Sequence, residues 1–371
     1  MATPWLLLLY LFDITLCLVP SLRPDKEWSL NQAVRMRTVR LVLLYWSRTR
    51  WGDRLRLEPG RERDRFEIIH PSPSKLYRAP LDDPFIRPAT IGGTWTPARP
   101  NTEKLGAGTT FVLHFHGGGF VIGDGRDHDT GLLAQCLLRN LKCDFVFTPQ
   151  YRLSSSKGGE FPAPIQDALT SYLHLIRDLS IPADQIILSG DSAGGNMVLG
   201  LMRYISDYGK ELNIPSPRAL TLWSPWVAVD SALTQDILLS PNHLSDYINA
   251  EFGRWGAIAV SGSGLIDTTG PYLSPLKHPF TLDPSIPVFV HAGEREVLLH
   301  DISEFSRCFR THGWSLSYHV SKGCPHDILL LGSRIGFARQ AQEAVKHANN
   351  FLSKLTLPQT PVARFKEDVT N

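Results

Sequence analysis

The pentapeptide Gly190-Asp191-Ser192-Ala193-Gly194 stands directly after the apolar run Gln185-Ile-Ile-Leu188 and directly before a helical pattern that starts at Ala193. A serine so placed occupies a sharp strand-to-helix turn. Its hydroxyl is thrust out at the helix N-terminus, and small residues on either side let helix and strand approach closely. This feature restricts the fold more than any other, because it requires a strand that feeds a helix packed back onto the same sheet.

The rest of the chain keeps that pattern. Phe111-Val-Leu-His-Phe115, Phe145-Val-Phe-Thr, Leu220-Thr-Leu-Trp, Val288-Phe-Val-His291 and Ser315 to Val320 read as short strands. Leu132 to Leu141, Ile165 to Leu179, Ala193 to Tyr208, Asp301 to Arg310 and Ala338 to Leu352 read as helices between or after them. Strands alternating with helices mean an α/β fold, a mostly parallel sheet covered on both faces. With 371 residues, 43% of them hydrophobic and 20% charged, the chain is neither disordered nor fibrous. Thirty-eight basic against 36 acidic residues leave a net charge of +2, too small a field to argue for nucleic acid. The five cysteines contain no C-x-x-C pair, which excludes a zinc knuckle and leaves buried or incidental thiols.

His116-Gly117-Gly118-Gly119-Phe120 follows another apolar strand. Glycines leave backbone N–H groups uncovered, and acyl transfer needs such donors where the carbonyl oxygen becomes negative. Beside the serine turn, Gly118, Gly119 and Ala193 are the candidate donors. A serine needs a base and an acid, expected in the chain order Ser, acid, His. His114 and His291 lie inside strands and read as core residues; His116 shapes the glycine loop; His300 and His319 fall within elements. His326, in Gly323-Cys-Pro-His-Asp327, follows a strand and is the candidate base. In Ala292-Gly-Glu-Arg-Glu-Val, Glu296 is the leading candidate acid and Glu294 the alternative, while Asp301 reads as a helix N-cap. Asp124-Gly-Arg-Asp-His-Asp129 reads as a solvated loop rather than a metal site.

The ordered set H-G-G-G-F, Tyr151-Arg-Leu153, G-D-S-A-G-G, Gly293-Glu-x-Glu-Val-Leu and Pro-His326-Asp resembles the hormone-sensitive lipase family of α/β-hydrolases, over roughly residues 85 to 355. Within it, the chain is similar to the steryl acetyl hydrolase and arylacetamide deacetylase group, which carries an amino-terminal membrane segment. The resemblance implies an α/β-hydrolase fold with Ser192 as nucleophile, His326 as base, and Glu296 as acid where most relatives have aspartate. It implies an oxyanion hole of Gly118, Gly119 and Ala193, and a helical cap from the amino-terminal helices and approximately residues 230–270. Phe120, Tyr151 and Trp226 are candidate substrate contacts. The implied reaction cleaves carboxylic esters, short acyl groups such as acetyl from a bulky apolar alcohol, with no metal or cofactor. Two other roles stay open. One is tailoring of a natural product in a fungal secondary-metabolite pathway; the other is non-catalytic binding, as in the plant gibberellin receptors that resemble this family. Ser154-Ser-Ser-Lys-Gly-Gly departs from the family's Ala-Pro-Glu after Tyr-Arg-Leu.

Residues 1–22 are largely apolar, with Asp13 their one charged side chain, and approach the lower length limit for crossing a bilayer. The expectation is a retained membrane-associated helix, with membrane lipid as partner and the endoplasmic reticulum as one candidate membrane. Residues 23–95 carry Arg35, Arg37, Arg40, Arg48 and Arg50 among apolar positions, and are expected to form basic amphipathic helices that either lie on lipid or cover the main domain. The catalytic domain is expected at 96–355 and a tail at 356–371, with 71–100 read as connector and edge structure.

Overall fold

The apolar runs become strands buried on both faces, as continuous hydrophobic sequence demands. In the computed structural model, which describes residues 3–355 except 53, 54, 107 and 235, eight strands form one sheet. These are β1 (Phe66–Ile69), β2 (Ile91–Thr96), β3 (Phe111–Phe115), β4 (Phe145–Gln150), β5 (Ile186–Asp191), β6 (Ala219–Trp223), β7 (Val288–Gly293) and β8 (Leu316–Ser321). Their order is β1-β2-β4-β3-β5-β6-β7-β8, and all pairs from β4 onward are parallel.

The helices are α1 (Thr3–Cys17), α2 (Leu30–Thr49), α3 (Asp127–Asn140), α4 (Ala163–Leu173), α5 (Ala193–Leu212) and α6 (Asp236–Leu239). They continue with α7 (Ala250–Val260), α8 (Leu299–Thr311), α9 (Ile328–Ile335) and α10 (Ala338–Leu355). Side chains alternate across each strand. Val112, Val146, Ile187 and Phe289 therefore meet Leu133 and Leu137 of α3 and Val345 of α10 on one face. Leu113, Leu188, Leu222 and Val290 meet the cluster containing Leu169, Met197, Ile302 and Phe305 on the other. All five cysteines are free thiols, and Cys17, Cys143 and Cys324 are buried.

The parallel order sends the loops after β3, β5, β6, β7 and β8 to one edge, where sites form in such sheets. His116–Gly119, Ser192, Ser224, Glu296 and His326 all lie in those loops.

Two expectations are corrected. The sheet begins well before residue 96: β1 and β2, within the stretch expected as helices and connector, pair antiparallel with each other, and β2 pairs antiparallel with β4. Ile91-Gly-Gly-Thr-Trp looks like a turn, yet the rings of Phe66 and Phe147 press on Gly92 and Gly93 where a Cβ would stand. The second correction concerns the amino terminus. No helix among the described residues is long and apolar enough to cross a membrane. The 15 residues of α1 rise roughly 22 Å, short of the ~20 residues a span needs. The retained membrane-associated helix expected at 1–22 is therefore not supported as a membrane span, and nothing found supports the membrane-lipid partner expected through it. Instead α1 packs on α2, with Tyr10 Oη 2.6 Å from Thr38 Oγ1. The arginines of α2 tie it to the domain: Arg40 donates to the carbonyls of Asp246 (2.7 Å) and Ile248 (3.2 Å), Arg35 to that of Arg334 (2.9 Å), and Arg48 pairs with Glu251. The expected tail, 356–371, lies outside the described residues.

Candidate active site

Ser192 sits between β5 and α5 with φ 51° and ψ −116°, a positive-φ conformation that L-residues rarely adopt. It is held there from several sides. Its N–H donates to the Trp223 carbonyl at 2.9 Å, and its own carbonyl accepts from Trp226 N at 2.9 Å. A Cβ at Gly194 would collide with the Phe115 carbonyl, so that position must be glycine for α5 to approach β3. The Oγ thus exposed lies 2.9 Å from His326 Nε2.

His326 is 2% exposed and follows β8, as its position in the sequence predicts. Its Nδ1 lies 3.5 Å from Glu296 Oε2, ion-pair range and slightly long for a hydrogen bond. Burial alone would lower its pKa; the Glu296 carboxylate overcomes this, Asp246 and Asp327 add to it, and the imidazole is pushed up to about 9. Glu296 is fully buried, whereas Glu294 points outward and accepts from Gly323 N at 2.8 Å. The structure thus brings Glu296, and not Glu294, to the histidine. Asp301 lies inside the first turn of α8 rather than at its cap.

Gly118 and Gly119 have φ of 103° and 61°. No hydrogen bond among the described residues takes up their N–H groups, and Ala193 opens α5, where helix N–H groups lack intrahelical partners. Asp191 fixes this loop to the serine turn. Its Oδ2 accepts from Gly117 N at 2.7 Å and its Oδ1 lies 2.8 Å from His114 Nε2. Trp223 Nε1 donates to Ser189 Oγ at 3.1 Å, and Ser189 Oγ lies 2.8 Å from His114 Nδ1. The chain is consistent if Ser189 donates to Nδ1 and Nε2–H donates to the carboxylate. Burial keeps His114 neutral, with its pKa near 3. Burial pushes the Asp327 carboxyl well above its usual range, and the neighbouring Asp191 adds to this.

Other expected residues lie elsewhere. Trp226 lines a small cavity at Ser192. Phe120 and Tyr151 line neither cavity that reaches Ser192. Phe120 is fully buried and packs on Trp226 at 5.9 Å between ring centroids. Tyr151 lies behind the glycine loop, stacked on His116 at 4.4 Å and donating to the His116 carbonyl at 2.9 Å. Both are supports of the loop, because their rings fill space on its inner side. Asp124 is buried and accepts from Gln150 Nε2 at 3.0 Å, and Asp127 begins α3 beside Arg65, so Asp124–Asp129 is not simply a solvated loop.

Two residues went unforeseen. Ser224, at the end of β6 with φ 44°, donates from Oγ to Glu296 Oε2 at 2.6 Å and accepts from Asp327 N at 3.1 Å. Its position one residue past the strand Leu220–Trp223 is the signal that could have found it. Asp246, fully buried between α6 and α7, carries no motif at all.

The family model described as alpha/beta hydrolase fold, Abhydrolase_3, matches residues 112–330. Esterase LipU of Mycobacterium tuberculosis is 28% identical over 247 residues, 64% of this chain and 77% of that protein. Ethyl acetate hydrolase of Pseudomonas putida is 25% identical over 272 residues, 72% and 74% of the two chains. The crystal structure of a hormone-sensitive lipase from a metagenome library superposes with a TM-score of 0.57 at 24% identity, covering 71% of this chain and 82% of that one. The match at 112–330 spans more than half of the chain and runs from within β3 to just past His326, and with it the chain belongs to the hormone-sensitive lipase family of α/β-hydrolases.

Proposed function

We propose that this chain, an ester hydrolase of the α/β-hydrolase type, cleaves small acyl groups, acetyl foremost, from bulky apolar alcohols through Ser192, His326 and Glu296. His326 Nε2 takes the Ser192 proton as Oγ attacks the ester carbonyl carbon. The resulting oxyanion is bound by the N–H groups of Gly118, Gly119 and Ala193; losing one such donor typically costs about 10²–10³ in rate. As the tetrahedral intermediate collapses, His326 gives its proton to the departing alcohol oxygen. A water molecule, deprotonated by His326, then attacks the acyl-serine and releases the acid. Glu296 keeps the proton on Nδ1 and stabilises the imidazolium.

The observation that carries the substrate reading is the inequality of the two cavities that meet at Ser192. One measures about 20 Å³ and is lined entirely by buried residues, including Gly119, Trp226, Ile237, Phe252 and Leu298. That is room for one water-sized group such as a methyl. The other measures about 430 Å³, is walled by Val39, Leu43 and Trp46 of α2 with Ile122 and Leu331, and reaches the surface at His128 and Arg334. The alcohol is the bulky half of such an ester, so it takes the large cavity and the acyl group the small one. In this reading α2 and the stretch 230–270 form the cap, and the large apolar cavity suits a natural-product alcohol as well as a xenobiotic one. The 2.9 Å contact between Ser192 and His326 favours catalysis over simple binding.

A panel of aryl esters tests this. The acetate is expected to have the highest kcat/KM, and the hexanoate about 10–100-fold less, because added methylenes overfill the small cavity. A hexanoate turned over faster than the acetate would reverse the assignment of the cavities. Trp226→Ala should narrow the gap by admitting longer chains.

The pH profile is a second test. His326 acts only when neutral, and its pKa stands near 9. Activity should therefore rise with pH through an inflection near that value. An inflection below 6.5, the ordinary histidine value, would mean that the carboxylates do not act on the imidazole, because burial alone lowers it.

A further inference from the structure

The segment between α6 and α7 does more than roof the site. Asn242 Nδ2 donates to the carbonyls of Glu294 (3.0 Å) and Glu296 (2.9 Å), and Ser245 Oγ donates to that of Arg295 at 3.2 Å. Asp246 completes the seam with its carboxylate. Oδ2 accepts from Val297 N at 2.8 Å, and Oδ1 accepts from Tyr247 N at 2.7 Å, with a longer contact of 3.4 Å to His326 N. One buried carboxylate thus touches the residue after the candidate acid and the candidate base itself. Arg40 of α2 clamps the same segment from outside through the Asp246 carbonyl at 2.7 Å.

We propose that the cap segment Asn242–Asp246 is a positioning device for the triad, with the Asp246 carboxylate holding the Glu296 turn and the His326 loop in catalytic register. This rests on the triad reading given above. Two neighbouring backbone segments from different loops, after β7 and after β8, are joined at one point by a side chain from a third. Loss of that point lets the 3.5 Å separation of Glu296 and His326 widen, and misplacement on the order of 1 Å can cost about 10² in rate.

Asp246 also acts through its charge. The titratable groups facing His326 are Glu296, Asp246, Asp327, Asp191 and His291, with the Tyr247 ring against it at 5.7 Å. Burial pushes the Asp246 carboxyl up to about 6, so at pH 8 it is ionised and stabilises the imidazolium. Removing that charge lowers the pKa of His326.

The test uses the full chain and an aryl acetate, with rates expressed per folded molecule from near-ultraviolet circular dichroism. Asp246→Asn keeps the volume, removes the charge and turns an NH₂ against one backbone N–H. It is expected to lower kcat about 10–100-fold with KM changed little, and to move the inflection in kcat/KM down by roughly one pH unit. Asn242→Ala, which leaves the charge in place, should lower kcat several-fold without moving the inflection. A purely structural role would instead lower the melting temperature and change KM and kcat together at an unmoved inflection, and that outcome overturns the proposal. So does Asp246→Asn with wild-type kcat. If Asp246→Asn does not fold, Asn242→Ala decides, and wild-type kcat there is the refuting result. Ser192→Ala runs alongside: if it retains turnover, the triad reading falls and takes this inference with it, whereas a dead Ser192→Ala beside an unaffected Asp246→Asn removes this inference alone.

Discussion

Ser192→Ala is expected to lower kcat for an aryl acetate by about 10⁴-fold or more, the scale on which serine hydrolases lose activity with their nucleophile. The substitution removes one oxygen and the 2.9 Å contact to His326 and little else. The backbone strain at φ 51° is unchanged, because alanine meets the same Cβ penalty there as serine. The melting temperature should therefore stay within a few degrees, separating loss of chemistry from loss of fold. Covalent labelling by a fluorophosphonate should disappear in parallel. A mutant that hydrolyses the acetate at the wild-type rate would falsify the assignment of the nucleophile.

The second large effect is expected at the acid. Glu296→Gln should lower kcat about 10³–10⁴-fold, because the amide can present its NH₂ to Nδ1 and stabilise the tautomer with the proton on Nε2. That nitrogen then cannot accept the Ser192 proton. Glutamine preserves the volume of a fully buried side chain, and Ser224 Oγ, which meets the same Oε2 as the imidazole, can accept from the amide there instead of donating, so folding should survive. Glu294→Gln is the control. Its carboxylate faces outward and accepts from Gly323 N, so kcat should change only a few-fold. The reverse ranking of the two variants would assign the acid to Glu294.

The targets of these two experiments differ in how plainly the amino-acid sequence marks them. Ser192 is legible because the turn that exposes it is local: an apolar run, two glycines and a helix start lie within about ten residues. His326 is legible by elimination, since His114, His291, His300 and His319 fall within elements and His116 belongs to the glycine loop, while His326 follows the last strand. Glu296 and Glu294 are two residues apart on the same turn, and nothing in their spacing ranks them. Burial ranks them, because only one faces the imidazole.

Other features are hidden for a related reason. The strands β1 and β2 are short and, at Gly92-Gly93, written in glycine, so their identity comes from pairing with β4 rather than from their own composition. An apolar amino-terminal stretch has the same composition whether lipid or protein covers it, and in the structure α1 packs on α2. Tyr151 lies in a motif beside the site, but the motif does not say that its ring stacks behind His116.

The amino-acid sequence alone determined the class of sheet, the serine turn and the glycine loop, because each is set by residues adjacent in the chain. Only tertiary structure decided the partner of His326, the seam through Asp246 and the unequal cavities at Ser192. Those depend on where distant loops meet, and hydrogen-bond geometry and excluded volume act through space, whatever the separation along the backbone.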